Sequence, residues 1–247
     1  MFTIEERERA KRRLVDKARA DPRVVAAAEM GSIVAGLGDR WSDVDLTFAV
    51  AEGVERDDVL EAWTVDLKRD EGAVHLFDLP LLSTMYRVFL FPGTLQVDLS
   101  FTPEADFGPL GPKWKTLFGA TVERTGSPPL RAEHLFGEAV HAALRTRVCM
   151  ERAQPWASEY WLSELRRLTM SLACLERALP PRYARGIDQL PADLLTAYEA
   201  TLVSSLDRQT MLAGLRAGID LLLREGPAEL VDPVRSSLLE LQSDGLR

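Results

Sequence analysis

The chain has 247 residues, 46% of them apolar and 28% charged, a globular balance with room for one large domain or two smaller ones. Its 38 acidic residues against 30 basic ones give a formal net charge of -8. That charge speaks against a protein that tracks along nucleic acid and favours small substrates, cationic ones above all. No apolar run reaches the ~18 residues of a membrane helix, and the opening MFTIEERERAKRR lacks the apolar segment of a secretory signal. A cytoplasmic protein with no membrane partner is the expectation.

Thr3 and Glu6 form a capping-box pattern, so a helix is predicted from there to about Ala20, stopped at Asp21-Pro22. VVAAAEM, residues 24–30, is short and apolar and fits strand or helix equally. DVDLTFAV (43–50) alternates and reads as a strand. RDDVLEAWTVDLKRD (56–70) has helical spacing and acidic residues in its first turn. AVHLFDL, MYRVFLF and LQVDLSF read as three further strands, the last two separated by the turn signal Pro92-Gly93.

Beyond TGSPPL the character changes. Ser127-Pro128-Pro129 reads as a linker, and long helical patterns follow: Ala132 to about Arg152, Trp156 to Leu179, Ala192 to Leu206, Arg208 to Glu225, and Ala228 to Ser243. Trp161, Leu165, Leu168, Leu172 and Leu175 mark one bundle seam. Cys149 and Cys174, the two cysteines, lie inside helical patterns and read as buried thiols. The chain thus divides near residue 128 into an α/β half, 1–128, and an all-helical half, 129–247.

The chemistry concentrates in MGSIVAGLGDRWSDVDLTFAV, residues 30–50. Side chains alternate along a strand, so Asp43 and Asp45 share a face while Val44 and Leu46 take the other. Two such carboxylates repel unless something positive sits between them, most simply a divalent metal, and oxygen-only ligands favour Mg²⁺. LQVDLSF presents Asp98 in the same way. If the two strands are neighbours, three carboxylates meet, which is the equipment for two-metal nucleotidyl transfer. Gly31 lets the backbone approach a phosphate closely, and Ser32 offers a hydroxyl and an N–H, with the dipole of any helix that starts there. The sequence has no GxxxxGK[ST] loop, and Trp41 stands where a dinucleotide fingerprint needs its third glycine. His75, His134 and His141 lack the spacing of a metal site. Trp41 is expected to pack, and Lys113 and Lys115 to sit at the surface.

Gly31-Ser32, ten intervening residues, Asp43-Val44-Asp45-Leu46 and the later Asp98 resemble the signature of the polymerase-β-like nucleotidyltransferase superfamily. With Gly36, Asp39 and Ser42 the string is similar to its small-molecule branch, which includes the aminoglycoside and lincosamide nucleotidyltransferases. The resemblance implies an α/β (α+β) nucleotidyltransferase domain with a mixed sheet, followed by an all-α helical-bundle domain on the substrate side. It also implies transfer of AMP from ATP, with Mg²⁺, onto a hydroxyl of a small molecule such as an aminoglycoside antibiotic, by a monomer or a homodimer. Asp43 and Asp45 are carried over as metal ligands, Asp98 as a third ligand or the base that takes the acceptor's proton, and Gly31, Ser32 and Ser42 as nucleotide contacts. In the helical half Glu164 is the candidate general base facing the acceptor, beside Tyr160, Arg167 and Ser171 on one helix stripe. Arg185, in RYARGIDQLP, resembles in position a basic residue that reaches the nucleotide phosphates. Two other readings compete: adenylylation of a partner protein, as antitoxins of this superfamily do, and a non-catalytic nucleotide-binding relative.

Overall fold

The computed structural model describes residues 1–124 and 129–244. It separates into two compact units, Met1–Pro128 and Pro129–Arg247. Of the linker expected at Ser127-Pro128-Pro129, Ser127 and Pro128 lie outside the described residues.

The first unit opens with α1 (Ile4–Ala20), started by a complete capping box: Glu6 N donates to Thr3 Oγ1 at 3.2 Å and Thr3 N to Glu6 Oε2 at 2.8 Å. β1 (Val24–Met30) resolves the ambiguity of VVAAAEM as a strand, and α2 (Gly31–Val34) is a single turn. β2 (Val44–Val50), α3 (Arg56–Glu71), β3 (Val74–Leu81), β4 (Thr84–Phe91) and β5 (Leu95–Pro103) follow the sequence pattern. β6 (Trp114–Phe118) had not been anticipated. It is five residues long with a lysine inside it, a weak strand signal on its own, and it is held by antiparallel pairing to β1.

The six strands form one mixed sheet in the order β3-β4-β5-β2-β1-β6. Its two central strands, β2 and β5, run parallel and pair Val44 with Val97, Asp45 with Asp98 and Leu46 with Leu99. One face is apolar: Val44, Leu46, Phe48, Val97, Leu99 and Phe101 pack beneath α1 and α3 in a single core. Phe48, Trp63 of α3 and Phe101 form a triangle of rings with centroids 5.0–5.2 Å apart. The buried Trp63 indole donates to Asp21 Oδ2 at 2.8 Å. The opposite face is largely polar, with Asp45 and Thr47 on β2 beside Asp98 and Ser100 on β5.

The second unit is helical. α4 (Ala132–Glu151) and α5 (Pro155–Glu176) are joined by three residues, as antiparallel neighbours are. α6 (Ala192–Glu199), α7 (Arg208–Glu225), α8 (Ala228–Val231) and α9 (Arg235–Glu240) complete it. Leu165, Leu168 and Leu172 of the predicted seam are buried against α4 and α7, with Trp161 and Leu175 at its margins. Two helices are shorter than their sequence pattern. The one predicted over Ala192–Leu206 ends at Glu199, where Thr201 Oγ1 donates to the Tyr198 carbonyl at 2.6 Å and Arg166 donates to the Thr201 carbonyl at 3.0 Å. The one predicted over Ala228–Ser243 is broken between Val231 and Arg235, where Pro233 has no N–H to continue the ladder. Buried Arg147 of α4 holds the far end by donating to the Leu241 carbonyl at 3.0 Å. Cys149 and Cys174 are free and buried, as expected. Among the described residues no helix is long and apolar enough to cross a membrane.

Asp21 joins the end of α1 to the core. Its carboxyl is held down at about 2, chiefly by bonds from Arg23, against the opposing effect of burial and with help from the Trp63 indole. A carboxylate with a depressed folded pKa stabilises the native state above its usual value near 3.8 and loses that contribution as pH falls towards 2. Asp21→Asn should therefore lower the melting temperature at pH 7 and flatten its fall between pH 4 and pH 2, which a series of thermal melts measures.

Candidate functional site

Parallel registry of β2 and β5 sets Asp45 beside Asp98, and Asp43 precedes Asp45 on the same face. Each of the three half-buried carboxylates offers an oxygen, and the three oxygens lie within 4.8 Å of one another. Val44 and Val97, on the other face, are buried in the core, so neither strand can rotate its aspartate away without extracting an apolar side chain. Asp98 titrates above the ordinary carboxyl value, first because burial disfavours its charge; the Gln96 amide, 3.0 and 3.1 Å from its two oxygens, opposes this, and the charge of Asp43 adds to it.

Gly31 closes the site on the β1 side. Its φ is +86°, and a Cβ built on it would stand 1.9 Å from Asp45 Oδ2. The Asp45 carboxylate therefore occupies the space that any side chain at position 31 would need. α2, which begins here, has four residues, too few for the helix dipole anticipated at the Gly-Ser pair. The Ser32 hydroxyl donates to Ser42 Oγ at 3.2 Å; Ser42 Oγ also accepts from Asp39 N at 2.9 Å and lies 3.2 Å from Asp39 Oδ1. Trp41 N donates to the same Asp39 oxygen at 2.8 Å. Asp39 and Ser42 thus brace the turn that delivers Asp43. Trp41, expected to pack, is instead 56% exposed, with the Arg40 guanidinium 4.0 Å from its ring centroid.

Arg7 was not singled out from the sequence. It is buried in α1, and its Nη1 donates to the Asp39 carbonyl at 2.6 Å and the Ser42 carbonyl at 3.2 Å. One turn on, Lys11 bonds buried Glu29 of β1 at 2.7 Å and fixes the helix against the sheet. The signal was present: Arg7, Ala10, Leu14 and Ala18 form the buried stripe of α1, and a charge in an apolar stripe requires a partner. Gln96 was missed too, although it lies two residues before Asp98 on the same face.

In the helical unit Glu164 accepts from Arg167 at 3.0 and 2.8 Å, making it half of an ion pair. Both line a cleft of about 470 Å³ with His134, Glu138, His141 and Trp161. The Trp161 ring meets His141 and Tyr160 edge-on at 5.3 and 5.2 Å. Ser171 is turned inward, its hydroxyl on the Arg167 carbonyl at 2.9 Å. The Arg185 guanidinium lies 5.5 Å from the ring of exposed Tyr183. Lys115 is exposed and Lys113 half-buried, while His75 bonds Asp78 at 3.0 Å. A larger cleft of about 620 Å³ opens at the far end of β2 and β5, by Val50 and Pro103. Alanine and valine dominate its wall, and of its two acids Glu104 accepts from the Glu52 N–H at 3.1 Å.

No protein-family model and no curated protein matches the chain. Among solved structures it is similar to an aminoglycoside 6-adenyltransferase from Bacillus subtilis, at 11% identity and a TM-score of 0.35, over 92% of this chain and 95% of that one. It is also similar to a nucleotidyltransferase-like protein from Exiguobacterium sibiricum, at 18% identity and a TM-score of 0.39, over 93% of this chain and 80% of that one.

The contact between Gly31 and Asp45 generates a sharp expectation. Gly31→Ala should weaken Mn²⁺ binding, measured by calorimetry, by about tenfold or more, the ~1.4 kcal/mol of one displaced ligand oxygen, while circular dichroism stays native. Unchanged Mn²⁺ affinity in this variant would remove Asp45 from the cation site.

Proposed function

We propose that this chain is a magnesium-dependent nucleotidyltransferase that moves AMP from ATP to a hydroxyl of a small molecule, with an aminoglycoside-like antibiotic as the acceptor class. The observation that carries the reading is the convergence of Asp43, Asp45 and Asp98. An all-oxygen donor set of three carboxylates fits a hard divalent cation such as Mg²⁺, and the three like charges are otherwise a cost to the fold. When bound, the ion supplies charge balance for the triphosphate and the departing pyrophosphate, and acidifies the attacking hydroxyl.

The chain's own residues divide the remaining work. Asp43 and Asp45 would hold the ion. Gly31, Ser32 and Ser42 are assigned to the turn against which the phosphate chain would lie, with Gly31 leaving room for the Asp45 carboxylate beside it. The acceptor oxygen bonds to the α-phosphorus as the bond to the pyrophosphate oxygen breaks, and pyrophosphate leaves with that electron pair. Asp98, oriented by Gln96, completes the ligand set or takes the acceptor's proton. Acceptor recognition is assigned to the helical unit, where the acidic and aromatic cleft around Trp161 and Glu164 suits an amine-bearing molecule. Glu164 must leave Arg167 to act as a base there. Arg185 is assigned to the nucleotide phosphates, its guanidinium engaged by a ring and by no ion pair among the described residues. Action on an antibiotic in the cytoplasm would confer resistance.

The test is incubation with labelled ATP, Mg²⁺ and a panel of hydroxylated antibiotics, read as a mass gain of one AMP. Asp45→Asn and Asp98→Asn should each reduce transfer by about 100- to 1,000-fold, while the metal-free melting temperature of Asp45→Asn stays equal or rises as repulsion is relieved. Undiminished transfer by Asp45→Asn would sink the assignment, and ATP binding without transfer to any acceptor would mark a nucleotide-binding protein.

A further inference from the structure

Two segments that are distant in sequence meet at the acidic cluster: the end of β1, which delivers Gly31, and the turn before β2, which delivers Asp43. Their spacing has no slack, because Asp45 Oδ2 already fills the place of a Cβ at position 31. Pairing of β1 with β2 does not reach the contact. The ladder ends at Glu29 and Leu46, short of Gly31 on one strand and of Asp43 and Asp45 on the other. One face of α1 spans the gap instead. Arg7, only 6% exposed, donates from Nη1 to the carbonyls of Asp39 and Ser42, in the turn that leads to Asp43. Its Nε donates to Glu8 Oε1 at 3.3 Å, and the other Glu8 oxygen lies 2.8 Å from Lys11 Nζ. Lys11 in turn donates to Glu29 Oε1 at 2.7 Å, and Glu29 is buried on β1 two residues before Gly31. Four side chains of alternating charge thus run unbroken from the turn to the strand. We infer that Arg7 is a positioning residue for the cation site, holding, through Glu8, Lys11 and Glu29, the spacing between Gly31 and Asp43.

The inference rests on the reading that Asp43, Asp45 and Asp98 hold a divalent cation, and extends it to a helix that offers the ion no ligand. Docking of α1 does not by itself call for a charged line. Ala10, Leu14 and Ala18 already bury its stripe, and apolar side chains in place of a buried ion pair are often neutral or stabilising. What an apolar residue at position 7 lacks is donors for two main-chain carbonyls and a carboxylate at once. The planar guanidinium has them in a fixed fork, whereas a lysine ammonium keeps the charge without that geometry. The partners are also placed to transmit position: Asp39 and Ser42 are bound by their backbones, next to Asp43, and Glu29 lies on the strand that continues into Gly31. Loss of the line would let the turn and the end of β1 shift separately, and ligand oxygens that must converge on one ion are sensitive to such shifts.

Calorimetric Mn²⁺ titration of the full chain, with amide hydrogen exchange over residues 39–42, tests this in Arg7→Met, Arg7→Lys, Glu29→Gln and Leu14→Ala, well below their melting temperatures. Arg7→Met should weaken Mn²⁺ binding by about 10- to 100-fold, the effect typical of a group that holds a metal ligand in place. It should also speed exchange of the Asp39 and Trp41 amides, whose hydrogen bonds brace the turn. Arg7→Lys should fall between Arg7→Met and the wild type, and Glu29→Gln, at the far end of the line, should weaken binding as well, two readouts that stand even if Arg7→Met misfolds. Leu14→Ala, which removes packing from the same helix and no member of the line, should lower the melting temperature and leave Mn²⁺ affinity unchanged. Wild-type affinity in the Arg7 variants, or an equal loss in Leu14→Ala, overturns the inference and leaves the cation site standing. A wild type that binds no Mn²⁺ removes the site and the inference together.

Discussion

Asp45 and Asp98 stand side by side because β2 and β5 run parallel and in register, and Asp43 joins them from the approach to β2. Three negative charges at that spacing push the strands apart. What resists is on the reverse of the same strands, where Val44, Leu46, Val97 and Leu99 are locked into the core and Phe48 and Phe101 close around Trp63. Apolar burial on one face thus offsets electrostatic strain on the other. The alternation of the β-strand is what lets both exist in a seven-residue segment.

The polar groups around the cluster orient its carboxylates and the turn that leads to them. Gln96 bonds both oxygens of Asp98 through a neutral amide, which favours the anion against the opposing effect of burial. Arg7, a full positive charge buried close by in the chain's fold, is turned towards the Asp39 and Ser42 carbonyls. Asp39 is likewise occupied with the Ser42 hydroxyl and the Trp41 N–H. The loop before β2 is therefore a rigid entry to the site, built from main-chain acceptors and short side chains.

The motif and most of the first unit were legible in the sequence because local signals agreed with the final packing: the capping box of α1, the alternation in DVDLTFAV and LQVDLSF, the turn at Pro92-Gly93. The three aspartates were legible as a set because each interrupts an apolar strand at an in-phase position. What escaped was set by tertiary contacts. β6 exists because β1 has a free edge to offer it, and Arg7 acquires its role from carbonyls more than thirty residues away. The helical half was read too long at both places where a side-chain hydroxyl or a proline interrupts the backbone ladder after the apolar periodicity has continued past it. In the cleft the i, i+3 spacing of Glu164 and Arg167 is realised as an ion pair, a contact that the spacing alone makes legible.

Because Arg7 grips residues 39 and 42 by their backbones, nothing in that grip depends on which side chains occupy positions 40 and 41. Arg40 and Trp41 stack on each other at the exposed tip of the turn, between two clamped ends. The tip is consequently a modular position: evolution or an engineer can exchange its chemistry, enlarging, charging or stripping it, while the acidic cluster downstream keeps its geometry.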